Sequence, residues 1–251
     1  MDCQVGHICD CVPGRLPHAL AELPESLDET YERTLRGINE AKWKIAHRMF
    51  QLVSVASHPL HVNELAGLLA LDFKAGSIPE FYEDWQLKKP ADAVLSTCST
   101  LVAIVNYRGS PIIQFSHFSV KEFLMSTRLA EATDIIPHQY HVSMTHAHTL
   151  AAQACLGILL QLDKDITSSS LEDFPLAEYA AEHWADHARF EDVSRNVEDG
   201  MKQLFDLSKP HLAICGVTQQ FRHGIEGHEM KRHGHFAKPP CIMPLLGAYI
   251  L

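Results

Sequence analysis

Residues 91–115 read ADAVLSTCSTLVAIVNYRGSPIIQF, and the change of period inside that stretch decides the fold. Up to Leu101 the apolar residues fall at Ala91, Val94, Leu95, Cys98 and Leu101, the i, i+3, i+4, i+7, i+10 series of one helix face. From Val102 the chain turns β-branched and apolar through Tyr107. Arg108-Gly109-Ser110-Pro111 then reads as a turn, and residues 112–115 are β-rich again. A helix therefore runs straight into a β-hairpin.

Upstream, residues 41–57 predict a helix with Ile45, Met49, Leu52 and Ala56 on one stripe and Ala46, Phe50 and Val53 beside it, a face wide enough for a core. His58-Pro59 breaks it. Residues 60–71 resume as a short helix pointing Leu65, Leu68 and Leu69 one way, and a polar, aromatic-containing loop fills 72–90. Downstream, Ser119 with Glu122 forms a capping box, Phe118 is placed to staple onto Phe123, and a helix should run from Val120 to about Leu129. Three helices followed by a hairpin is the order of a winged helix, in which the hairpin is the wing. It occupies residues 41–130.

On its N-terminal side, Ser26 and Glu29 make another capping box, and Leu27, Tyr31, Leu35 and Ile38 carry an amphipathic helix. On its C-terminal side, after a loop at 131–140, residues 145–162 predict a long apolar helix and 163–173 a polar loop. Pro175 suits the first turn of a helix bearing Leu176, Ala180, Trp184 and Ala188. Val197, Met201, Leu204 and Phe205 mark a last helix, stopped by Lys209-Pro210. From Ile214, Gly216, Gly224, Gly227 and Gly234 interrupt any periodicity. The expected fold is mainly α: a linker and helix over residues 1–40, the winged helix over 41–130, a helical subdomain over 131–213 and a flexible tail over 214–251.

Several blocks carry a resemblance. Residues 23–35 (LPESLDETYERTL), 59–73 (PLHVNELAGLLALDF), 93–101 (AVLSTCSTL), 114–124 (QFSHFSVKEFL), 151–163 (AAQACLGILLQLD) and 175–190 resemble fungal NACHT-domain proteins of the STAND type. They match the GPI inositol-deacylase-like winged-helix region that follows the NACHT core there and commonly precedes ankyrin or WD40 repeats. The resemblance covers residues 16–213. It implies a signal-transduction module whose winged helix couples the nucleotide state of a core to a repeat sensor, with that core or the repeats as protein partner. Nucleotide hydrolysis does not carry over, because no G-x-x-x-x-G-K-[ST] phosphate loop occurs in the chain.

The 251 residues hold 21 Lys and Arg against 31 Asp and Glu, a formal charge of −10, which disfavours a general polyanion binder. Hydrophobic residues make up 46%, enough for a packed core. The seven cysteines, at 3, 9, 11, 98, 155, 215 and 241, form no disulfide framework. Residues 1–11 lack the charged-then-apolar run of a secretory signal. The longest late apolar stretch, 239–251, is short of the ~20 residues that span a bilayer. The expectation is a soluble protein of the reducing cytoplasm, with no membrane partner.

Winged helices raise the question of DNA. A recognition helix needs Arg, Lys, Asn or Gln for base edges and cations for phosphates. Helix 91–101 is expected to expose Asp92, Ser96, Thr97, Ser99 and Thr100, with Lys88, Lys89 and Arg108 as the nearby cations, so DNA is disfavoured and a protein-facing use preferred. His183 and His187 stand at the i, i+4 spacing of a shared metal, yet EHWADH is not H-E-x-x-H, and their apolar face fits a hydrogen-bonded buried pair better. His146 and His148 are read as capping or surface groups. Cys215, His223, His228, His233, His235 and Cys241 lack a Cys-x-x-Cys anchor for zinc. Cys98 and Cys155 lie on apolar faces as small hydrophobes, and no G-x-S-x-G elbow supplies a nucleophile. No catalytic, cofactor-binding or metal-binding residue is expected, and no cofactor.

Overall fold

In the computed structural model, residues 26–74, 78–162 and 170–222 are described. The elements run α1 (Leu27–Arg36), α2 (Trp43–Val55), α3 (Val62–Leu69), β1 (Leu71–Asp72), β2 (Glu80–Phe81), α4 (Pro90–Cys98), β3 (Val102–Tyr107) and β4 (Ser110–Phe115). They continue with α5 (Phe118–Leu124), α6 (Thr127–Ala130), α7 (Ile135–His138), α8 (Met144–Leu159), α9 (Ala177–Ala188), α10 (Val193–Asn196), α11 (Glu198–Leu204) and α12 (His211–Arg222). The chain is mainly helical, as its periodicity predicts. It packs as two units: one holds residues 26–54, Pro59–Val62 and Lys89–Ser143, the other Val55–His58, Asn63–Lys88 and 144–222.

In the first unit α1 starts where Ser26 accepts a hydrogen bond from the Glu29 amide, satisfying one orphan donor of the first turn. Tyr31 and Leu35, one turn apart, are buried, while Leu27 is 57% exposed. Ala46, Met49, Phe50 and Leu52 of α2 are buried, and the Phe50 ring meets Phe115 and Tyr140. Arg128 clamps α1 through Asp28 and Glu32, and Arg36 pairs with Asp134 at the start of α7.

β3 and β4 pair antiparallel from Val102↔Phe115 to Tyr107↔Ser110. The turn is only two residues long, Arg108 at φ 50° and Gly109 at φ 90°, the doubly left-handed geometry that matches strand twist. The Asn106 side chain accepts from the Gly109 amide at 3.0 Å. Ser110 and Pro111, read from sequence as turn, belong to β4. A further pairing was invisible in the helical reading of 60–71: the Ile113 amide donates to Leu60 O at 2.8 Å and His61 bridges Ile112. Leu60 and His61 thus line the outer edge of the wing, and α3 begins only at Val62.

The expected capping after the wing is also corrected. His117, not Ser119, caps α5, its Nδ1 accepting from the Ser119 amide at 3.2 Å. The Ser119 hydroxyl is bonded to His117 and to Tyr31 Oη, at 2.6 and 2.8 Å. Phe118 therefore sits inside the first turn instead of before it, is 70% exposed and lies against His117, so no staple onto Phe123 forms. The helix ends at Leu124, and Ser126 caps a separate short α6.

In the second unit the long α8 buries Ala147, Ala151, Ala152, Ala154, Cys155 and Ile158, and α9 buries Ala177, Ala180, Ala181, Trp184 and Ala188. Small residues on both faces let helices approach closely. Gly157 of α8 passes so near the Pro79 carbonyl that a Cβ there would stand 2.6 Å from its oxygen. The stretch read as loop contains β1 and β2, paired through Leu71↔Phe81 and Asp72↔Glu80. α12 begins at His211 and runs past Ile214 and Gly216 to Arg222, with Ile214 and Cys215 buried, so the boundary drawn at 213/214 falls inside a helix. Residues 223–251 lie outside the described residues.

Candidate functional site

The wing and α4 are the surface on which a winged helix ordinarily meets its ligand. Pro90 occupies the first turn of α4, where its missing N–H costs nothing. Val94 and Cys98 turn inward, but the apolar set departs from expectation: Thr97 is buried, its hydroxyl donating to Ala93 O at 2.8 Å, and Leu95 is 40% exposed. Asp92, Leu95 and Ser96 of α4 and the capping Ser99 after it face outward, with one carboxylate, one leucine and no cation among them. Lys42 Nζ is held against this helix, donating to Ser96 O and Oγ at 3.3 and 3.1 Å. The wing ends in exposed Val105, Asn106 and Tyr107, with the Arg108 guanidinium 5.4 Å from the Tyr107 ring centroid.

A second grouping lies in the other unit. His187 is fully buried between two partners, with Nε2 2.8 Å from Tyr179 Oη and Nδ1 3.0 Å from His148 Nδ1. Tyr179 Oη also accepts from the Ser57 amide, which fixes the phenol beside the imidazole. His187 and His148 share one proton between their Nδ1 atoms. This places His148, read from sequence as a capping or surface group, in a half-buried contact with His187, its ring stacked on Phe190 at 4.1 Å; His146 is exposed. Burial first, then His148 and His183, pull the His187 pKa down to about 4, against a smaller upward pull from Asp186. Burial pushes the Tyr179 phenol up.

His183 does not share a ligand position with His187. Its Nδ1 lies 3.4 Å from Asp186 Oδ2 and its Nε2 3.7 Å from Glu182 Oε2, while its ring packs against Tyr179 and His58. The i, i+4 spacing brings both rings to Tyr179 on the same helix but aims their nitrogens at different partners. Among the described residues no group of three His, Cys, Asp or Glu is arranged to hold a metal. Cys98 and Cys155 are buried thiols whose pKa values burial raises, and Cys215 Sγ faces Ala181 O at 3.8 Å. His223, His228, His233, His235 and Cys241 lie outside the described residues. Among those described, no helix is long and apolar enough to cross a membrane.

Comparison with known families agrees with the winged-helix reading of the hairpin and its helices. Residues 31–135 match the family model described as GPI inositol-deacylase, winged helix domain. These residues form a winged-helix domain similar to the one that family model describes. The match opens inside α1, so that helix, placed by the sequence reading in a preceding linker, shares the matched segment with the wing. One relative, the azaphilone pigments biosynthesis cluster protein L of Monascus ruber, is 30% identical over 215 residues, 82% of this chain. The chain spans 43% of that relative's length. No solved structure matches the chain.

Proposed function

We propose that this chain is a non-catalytic regulatory module of a NACHT-type signal-transduction protein of the fungal cytoplasm, its winged helix docking protein instead of nucleic acid. The observation that carries this reading is the outer face of α4: Asp92, Leu95, Ser96 and Ser99 offer neither bidentate donors for bases nor cations for phosphates, and the Lys42 ammonium on that face is engaged by Ser96 O and Oγ. With the exposed Val105 and Tyr107 of the wing, that chemistry suits a protein interface, where apolar and aromatic anchors dominate. The family match supports the fold of the region, and the resemblance of blocks on both sides of it supplies the partner: a nucleotide-binding core, in the same chain or another, whose ADP or ATP state is passed to an ankyrin or WD40 sensor. Such coupling requires different affinity for the two states.

The test is co-purification with a separately expressed fungal NACHT core loaded with ADP or with ATP. Binding should favour one state and be lost on Leu95→Asp or Tyr107→Asp. No binding in either state refutes the coupling. Salt-sensitive binding to duplex DNA would establish the alternative, a nucleic-acid-binding winged helix.

A further inference from the structure

A separate surface, in the second unit, has a chemistry of its own. Tyr82 and Trp85 stack with ring centroids 4.9 Å apart at 26°, and both are exposed, by 39% and 50%. Two large rings exposed side by side form a contiguous apolar patch, the kind of surface feature that marks an interaction site. The turn that carries them is well anchored. The Tyr82 amide donates to Ala70 O at 3.1 Å, Phe81 packs on Phe174 at 5.2 Å, and Gln86 Nε2 donates to Asp173 O at 2.8 Å. The Trp85 and Gln86 amides close the short turn onto Tyr82 O and Glu83 O.

Within residues 80–85 the charge has one sign, and the exposed Lys88 and Lys89 follow further along the chain. Residues 80–85 read EFYEDW, with Glu80, Glu83 and Asp84 all exposed and no cation among them. Tyr82 Oη donates to Glu80 Oε2 at 2.8 Å, which fixes one carboxylate at the edge of the aromatic pair. Ring faces and carboxylates attract the same kind of group, a lysine ammonium or an arginine guanidinium. We propose that the Tyr82–Trp85 platform docks a basic segment of a partner protein, seating an Arg or Lys side chain on an aromatic face beside Glu80, Glu83 and Asp84. The inference is independent of the winged-helix reading, because it uses other residues and survives if the NACHT core does not bind.

The probe is a fluorescein-labelled peptide of alternating Arg and Lys, titrated with the full chain at low salt and followed by anisotropy. Trp85→Ala should weaken binding roughly three- to tenfold, the range of a partly exposed cation–π contact. Glu83→Gln with Asp84→Asn should weaken it and flatten its salt dependence. Glu191→Gln with Asp199→Asn, which removes the same charge from exposed positions elsewhere in the unit, should leave it unchanged. No binding by the wild type, an unaltered Trp85→Ala variant, or a control that weakens as much as the Glu83/Asp84 variant would each overturn the proposal.

Discussion

Acidification should destabilise the second unit through His187. His187 is held neutral, with a pKa of about 4 in the folded chain against an ordinary 6.5. A depressed histidine means that the unfolded chain binds the proton more readily, so the stability contribution is complete above 6.5 and is lost as pH falls towards 4. Over that full window, 2.5 units at about 1.36 kcal/mol each amount to about 3 kcal/mol, and between pH 7 and pH 5 the loss is about 2 kcal/mol. The geometry explains the sign. A charge on His187 would be buried away from water and would face His148 from α8 and His183 from its own helix, relieved only in part by Asp186.

The assay is urea unfolding at pH 7 and pH 5, by circular dichroism and by the fluorescence of the buried Trp184, on wild type and His187→Gln. The glutamine amide keeps a donor and an acceptor but cannot titrate. The variant should be weaker by about 1–2 kcal/mol at pH 7, yet lose about 2 kcal/mol less than wild type on going to pH 5. His211, also pulled down by burial, acts in the same direction in both proteins and cancels. Equal losses in the two proteins would refute the reasoning.

Three further outcomes follow from local geometry. Arg108→Asn, at φ 50° in the wing turn, should raise stability by about 0.5–1 kcal/mol in a thermal melt, because asparagine tolerates the left-handed region that arginine does not. Gly157→Ala should cost about 2 kcal/mol or more and lower Tm by several degrees, since its Cβ would press on the Pro79 backbone oxygen, which has no rotamer by which to move. Ser26→Ala should cost about 1 kcal/mol by leaving the Glu29 amide of α1 without its cap.

What the sequence disclosed was whatever rests on neighbours along the chain. The β-branched run at 102–107 and the helical spacing of Leu176, Ala180, Trp184 and Ala188 each report one face of one element, and all four of those side chains are buried. Pairings between distant residues left no such trace. The bridge from Leu60 and His61 to β4 joins positions about fifty apart. His148 meets His187 across 39 residues, so a histidine pair sought at i, i+4 formed instead with a partner on another helix. Phe118 misled because a histidine served as the cap two residues before the serine, carrying the phenylalanine into the helix and out to solvent. Gly216 misled at the end of the second unit, where burial of Ile214 and Cys215 holds a helix that propensity alone would not.

The central claim is that α4 and the wing face a protein. Its most direct measurement is the amide spectrum of the isotopically labelled chain on addition of a NACHT core, and separately of duplex DNA, at low salt. The account predicts shifts at residues 92–99 and 105–109 with the core in one nucleotide state and none with DNA. Shifts at those residues with DNA alone, weakening steeply as salt is added, would contradict it.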